Sequence, residues 1–264
     1  MRWFLRLTLI MSVIFFGGLW GEGQAWAFEP YARELMAKVY DREDGVDRRL
    51  EMTMILINKQ GRERRRKVTS YSKDYGQDRK SVMIFLEPSD VKGTMFLSWE
   101  YEEMGRDDDK WLYLPALRKD RRISGASRKE YFMGTDFTYD DMGRRRPNED
   151  EQKIIGRETI NGRDTVVVEC LPIDPAESYV KRIAYVAPDV LLVVKAEYYD
   201  KDGLLKVYEV KEIGEANGFT HISDSTMTNV VTGHQTRLLV DKMEYDQNVD
   251  DSLFTVATIQ RGRF

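Results

Sequence analysis

The sequence predicts a mainly β protein: an antiparallel meander that curls into a barrel or splits into two sheets. Three observations predict it. Apolar and polar residues alternate with period two from about Arg49 almost to the end of the chain. The separators between these runs are turn residues, among them Asn161-Gly162, Asp202-Gly203 and Asn217-Gly218, and not helices. Only one stretch, near residue 30, has an apolar stripe of helical period. Strands joined by short turns pair antiparallel, and so many in one domain cannot remain a flat open sheet.

The elements follow in order. Arg2 and Arg6 flank an apolar run from Leu7 to Trp20, and the segment closes on Ala25-Trp26-Ala27. That pattern predicts a cleaved signal peptide over residues 1–27, since its apolar part is shorter than the ~20 residues of a membrane span. The mature chain is then a single domain, residues 28–264, soluble outside the cytoplasm. The only cysteine is Cys170, far from the cleavage site, so neither a lipid anchor there nor an internal disulfide is expected. "EPYARELMAKVYDRE" places Tyr31, Leu35, Met36 and Val39 on one stripe, with Pro30 suited to a first turn. This predicts a helix over residues 29–40 that buries its stripe in the concave face of the sheet. Strands are then predicted in "LEMTMILIN", "RRKVTSYS", "KSVMIFLE", "GTMFLSWEY", "KWLYLPA", "DRRIS", "KIIGRETI", "DTVVVECL", "VKRIAYVA", "LLVVKAEYY", "LKVYEVKEI", "FTHISDSTMTN" and "TRLLVDKMEY". Gly125 to Glu151 shows no alternation, and a loop of that length in a compact domain is more often functional or disordered than incidental.

Charged residues mark the outer face and thereby the inner one. Glu169 turns Val166, Val168 and Cys170 inward; Lys195 and Glu197 turn Val194, Ala196 and Tyr198 inward. Met52 and Met54 share one face, as do Met83 and Phe85. Methionine is flexible and polarisable and suits surfaces that accept ligands of variable shape. An acyl-chain cavity and an ordinary packed core both fit this alternation.

The chain has 41 basic and 45 acidic residues, a formal charge of −4, which gives no push toward nucleic acid. His221 and His234 are the only histidines and neither stands in a metal-ligand motif. Ser127 lies in neither a G-x-S-x-G elbow nor an S-x-x-K motif, because position 130 is Glu. The acidic clusters at Asp107–Asp109, Asp140-Asp141 and Glu149–Glu151 lack EF-hand spacing. No cofactor, metal or catalytic apparatus is expected. Basic runs at Arg62–Lys67, Arg118–Arg122 and Arg144–Arg146 read either as solvated outer positions that discourage edge pairing or as a cavity mouth that meets anionic groups. The first run favours solvation; the second leaves both open.

"SDVKGTMFLSW" at 89–99 and "WLYLPALRKDRRISGASRKEYFMGTDFTYDD" at 111–141 resemble the outer-membrane lipoprotein-sorting protein family of Gram-negative bacteria, relatives of the LolA and LolB carriers. "AEYYDKDGLLKVYEVKEI", "TGHQTRLLVDKMEYD" and "DDSLFT" fit that family's closing hairpins, although the family's frequent Leu-Pro step is missing from "DVLLVVKAEYY". The resemblance implies a half-open antiparallel β-barrel with a short N-terminal helix and a helical or loop lid. It implies a non-enzymatic periplasmic carrier whose concave face holds lipid or lipoprotein acyl chains. An RND/MMPL-type exporter is the implied membrane partner, and a non-carrying adaptor of such an exporter is the alternative. On this basis Met52, Met54, Met83, Phe85, Phe96, Trp111, Tyr113, Val166 and Val168 are expected to line the cavity. Arg118, Arg121, Arg122, Arg128 and Lys129 are expected at its rim, with Gly125 to Asp141 as a loop over the mouth.

Overall fold

The computed structural model describes residues 25–262. The expected signal segment lies, up to residue 24, outside the described residues. Helix α1 (Ala25–Tyr40) is followed by six strands, β1 (Asp47–Ile57), β2 (Glu63–Tyr75), β3 (Asp78–Glu87), β4 (Met95–Glu100), β5 (Asp109–Leu114) and β6 (Lys119–Ile123). A connector with three short 3-10 turns leads to β7 (Asp150–Ile160), β8 (Arg163–Pro172), β9 (Lys181–Ala187), β10 (Leu192–Asp200), β11 (Gly203–Ala216), β12 (Phe219–Asn229) and β13 (Gln235–Tyr245). A 3-10 turn (Asp251–Phe254) and helix α2 (Val256–Arg261) complete the described chain. Each strand expected from the alternation is present. The closing helix was not expected: six residues are too few for a periodic signal, although Thr255 caps it by accepting from the Thr258 N–H.

All the strands among the described residues form one antiparallel sheet in the order β6-β5-β4-β3-β2-β1-β13-β12-β11-β10-β9-β8-β7. Two meanders are thus joined at a seam between the first strand and the last, and the sheet stays open, with β6 and β7 as its edges. Hairpin chemistry explains the local order. Asn161 and Asn217 both have positive φ (51° and 52°), and each is followed by a glycine that tolerates the same region. Such a pair is what a two-residue turn with the strand's own twist requires.

Cross-strand register defines the two faces. Met52 lies opposite Val68 and Val240, Val68 opposite Phe85, Met83 opposite Phe96, and Phe96 opposite Leu112. This face is covered twice. The connector's Phe132 and Tyr139 pack on it over β1–β5. Ala32 and Leu35 of α1 pack on Val166, Val168 and Ala184 at the other end. It is the inner face of a half-barrel, and α1 buries Leu35 there with Met36 and Val39 partly covered, as the sequence implied, whereas Tyr31 of the expected stripe is exposed and Ala32 is buried instead. The opposite face of β3–β5, with Val82, Leu97 and Tyr113, is closed by Phe254 and Ile259 of the C-terminal segment.

Candidate functional site

The inner face of β1–β5 carries a strip of Met52, Met54, Leu56, Val68, Met83, Phe85, Phe96 and Leu112, all buried. Five of the expected cavity residues, Met52, Met54, Met83, Phe85 and Phe96, are therefore brought together. Trp111 and Tyr113 are not among them. Phe96 pairs with Leu112, so the residues on either side of Leu112 point outward. Trp111 packs edge-on against Trp99 with ring centroids 4.9 Å apart, and Tyr113 lies under α2. The sequence offered no charge in "WLYL" to mark the outer face, and both faces of these strands are covered, so both read as apolar. Val166 and Val168 are on the inner face but sealed beneath α1, in a different cluster.

The strip is filled by the chain itself. The connector turns back at Met133 and Gly134, both in the left-handed region (φ 49° and 74°), a conformation that costs an L-residue such as Met133 about 1 kcal/mol. The Phe132 N–H then bonds to the Phe137 carbonyl at 2.7 Å, and the Tyr139 N–H to the Glu130 carbonyl at 3.1 Å. This places the Phe132 ring 5.9 Å from Phe85, 5.1 Å from Phe96 and 5.5 Å from Tyr139. The loop expected over the mouth reaches inside it. Its aromatic spacing, Tyr131-Phe132 then Phe137 and Tyr139, is the signal that marks a packing role.

Polar anchors hold the connector down. Lys206 on β11 is fully buried and donates to the Tyr179 hydroxyl at 2.7 Å and to Asp141 at 3.1 Å, while the Tyr179 hydroxyl donates to Asp141 at 2.8 Å. Burial lowers the Lys206 ammonium from its ordinary value, against the pull of Asp141, and burial beside Asp141 raises the Tyr179 phenol. Arg145 bridges Asp150 (2.7 Å) and Glu177 (2.8 Å).

Of the expected rim residues, Arg121, Arg128 and Lys129 serve the same purpose, and Arg118 and Arg122 do not. Arg121 pairs with Glu130 at 3.1 Å, Arg122 with Asp109, and Arg128 with Asp140 (2.8 Å) and Asp107 (3.0 Å); Lys129 donates to the Ala176 carbonyl. Arg122 lies opposite Trp111 and so belongs to the outer face, away from Arg121. Arg118 sits exposed in the β5–β6 turn at φ 48°. Ser127 makes only backbone turn contacts among the described residues, and no group of three metal-ligating side chains occurs among them.

Beside the plugged strip a cavity of about 320 Å³ remains, with Leu50, Met83, Phe96, Met142 and Met243 on its apolar side and Arg144 among its polar groups. That is within the ~300–1,000 Å³ range of small-molecule sites. Glu100, also on its wall, is raised above the ordinary carboxylate value by burial and by Asp108, and its partner Arg144 lies 3.4 Å away.

An open antiparallel sheet that wraps an apolar inner face under a helix and a connector is the LolA-like carrier fold. A LolA superfamily protein from Nitrosomonas europaea shares it, at 19% identity and a TM-score of 0.65 over 88% of this chain and 99% of that one. A putative outer membrane lipoprotein-sorting protein domain from Vibrio parahaemolyticus is 30% identical, with a TM-score of 0.81 over 90% of this chain and 100% of that one. A DUF1329 family protein from Desulfovibrio piger is 27% identical, with a TM-score of 0.83 over 88% and 98%. A family model described as that of an uncharacterized protein matches residues 77–261. The chain belongs to this DUF1329 family within the lipoprotein-sorting, LolA-like group. No curated protein matches it.

Proposed function

We propose that the protein is a non-catalytic periplasmic carrier that takes up lipid or lipoprotein acyl chains on the inner face of its half-barrel and moves them toward the outer membrane. The observation that carries this reading is that the apolar strip of β1–β5 is closed by a connector side chain, Phe132, and not by the sheet. The relationship to a lipoprotein-sorting domain supports it, as do the signal segment expected over residues 1–27 and the absence, among the described residues, of any helix long and apolar enough to cross a membrane.

The energetics favour exchange over permanent capture. An acyl chain that buries about fourteen methylenes gains on the order of 11 kcal/mol at ~0.8 each. Withdrawing a buried phenylalanine costs about 3–5 kcal/mol, and association itself costs at least ~4 kcal/mol. The surplus is small, as a carrier that must release its cargo requires. Met52, Met54 and Met83 suit cargo of variable shape.

The adaptor reading gains no such support, because Arg121, Arg122 and Arg128 are already taken up by acidic partners within the chain. The test is native mass spectrometry of the mature protein purified from its own host, followed by solvent extraction. A co-purifying amphiphile near one-to-one stoichiometry is expected. A bare protein that also fails to bind added acyl probes would overturn the carrier.

A further inference from the structure

The run Arg62–Lys67 divides by strand parity. Glu63, Arg65 and Lys67 belong to the outer set, where Arg65 pairs with Glu63 at 2.8 Å and Lys67 with Asp241 at 3.1 Å. Arg64 and Arg66 lie opposite Leu56 and Met54, so they share the inner face with the apolar strip, and Arg62 precedes them in the same alternation. Among the described residues none of these three arginines forms an ion pair. Arg66 donates to the Met133 carbonyl at 2.7 Å and lies 5.8 Å from the Phe85 ring centre; Arg62 and Arg64 are exposed.

The three arginines line a cavity of about 450 Å³ together with Leu56, Gly134 and His234. His234 is held there by Asp136, whose carboxylate lies 2.7 Å from its Nδ1 and accepts from the Thr236 hydroxyl at 2.7 Å. Glu63, the acidic residue on this cavity, is engaged by Arg65. Arg64 and Arg66 thus follow one another on the inner face of β2 at a backbone spacing of roughly 7 Å, Arg62 joins them from the preceding turn, and the three keep spare donors with the apolar strip beginning at the next residues. Solvated outer arginines do not have this arrangement, because their neighbours of the outer set are the ones already paired.

We propose that Arg62, Arg64 and Arg66 form a headgroup site for an anionic amphiphile of the phosphate-ester class, whose hydrocarbon tail enters the inner strip at Leu56 and Met54. The proposal rests on the carrier function above and narrows its cargo. Guanidinium forks match phosphate oxygens in pairs. The plug is tied to the same place, since Arg66 holds the Met133 carbonyl next to Phe132. A phosphate that recruits Arg66 loosens the connector at the point where the tail must enter.

The test is calorimetric titration of the full chain with dodecyl phosphate, with the neutral 1-O-dodecylglycerol and with inorganic phosphate, each amphiphile below its micellar concentration. Dodecyl phosphate is expected to bind about tenfold tighter than dodecylglycerol at low salt, with the advantage shrinking at high salt. Arg62→Gln combined with Arg64→Gln, two exposed positions with no contact the fold depends on, is expected to remove that advantage and leave dodecylglycerol binding unchanged. Equal affinity for the two amphiphiles, or an advantage that survives the double substitution, would refute the headgroup site while leaving the carrier intact. Inorganic phosphate binding as tightly as dodecyl phosphate would make it a free-anion site and refute the amphiphile. If neither amphiphile binds, the carrier function falls and the headgroup site with it.

Discussion

Replacing Phe132 with alanine should weaken the fold and strengthen the binding of cargo. The ring is fully buried against Phe85, Phe96 and Tyr139. A phenylalanine of this kind buries ~150–250 Å², which at ~25 cal/mol per Å² is roughly 4–6 kcal/mol. Measured Phe→Ala losses of about 3–5 kcal/mol agree. If the ring must leave before an acyl chain enters, the energy that holds it in place is subtracted from cargo affinity. Removing about 3 kcal/mol of that competition raises affinity by about a hundredfold. Urea unfolding measures the first quantity, and titration with an acyl probe at low denaturant the second. A variant that stays folded yet binds the probe no better than the parent would show that Phe132 is plain core, and the plug argument would fail.

Further outcomes follow from the buried polar groups. Lys206→Met leaves Asp141 and the Tyr179 hydroxyl buried without their cation, so unfolding in urea should show a loss of about 3–5 kcal/mol. Adding Asp141→Leu should recover part of it, and a single substitution costing less than about 1 kcal/mol would refute the anchor. Burial would raise Asp44, but Arg48 and Arg79 outweigh it and hold the carboxyl below its ordinary value. Its stabilising contribution is therefore complete above the unfolded value near 3.9 and is lost as pH falls through the lower folded value. The parent should lose stability faster than Asp44→Asn over that acid range, and parallel pH profiles would contradict the ion pairing. Burial pushes the Cys170 thiol up to about 12, so a thiol reagent at pH 8 should label it only in denaturant; labelling of the native protein at the rate of a free thiol would overturn that placement.

The strand pattern was legible because period two and Asn-Gly turns are local properties, and they located each strand of the sheet. A charge that interrupts the alternation helps to assign a face but does not suffice: a bulge between Val193 and Lys195 carries Val194 into the cluster of Val167 and Tyr185, against the inward assignment that Lys195 implied. Glu169 oriented Val166 and Val168 correctly, whereas "WLYL" had no such marker and Trp111 was assigned to the wrong side. The arginine run is only partly legible for a related reason: Arg64 and Arg66 continue the inner parity of Val68, which requires the register of β2 and not only its composition. What no local pattern could reveal was which segment covers which face. The connector enters the half-barrel and the C-terminal helix seals its back, and both depend on contacts distant in sequence.

The seam between β1 and β13 has a kinetic consequence. Met52 and Val240 are partners across it although most of the described chain lies between them. Every other strand pair except this one joins neighbours in sequence, so both meanders can assemble hairpin by hairpin at low entropic cost. The seam alone requires closing a loop of this length, and topology of that kind slows the final step. A newly made chain would therefore pass through a stage with two formed half-sheets and an unpaired β1 edge. The last strand to be delivered is the one that completes the molecule, and until it docks, the edge of β1 is the surface on which a wrong partner can pair.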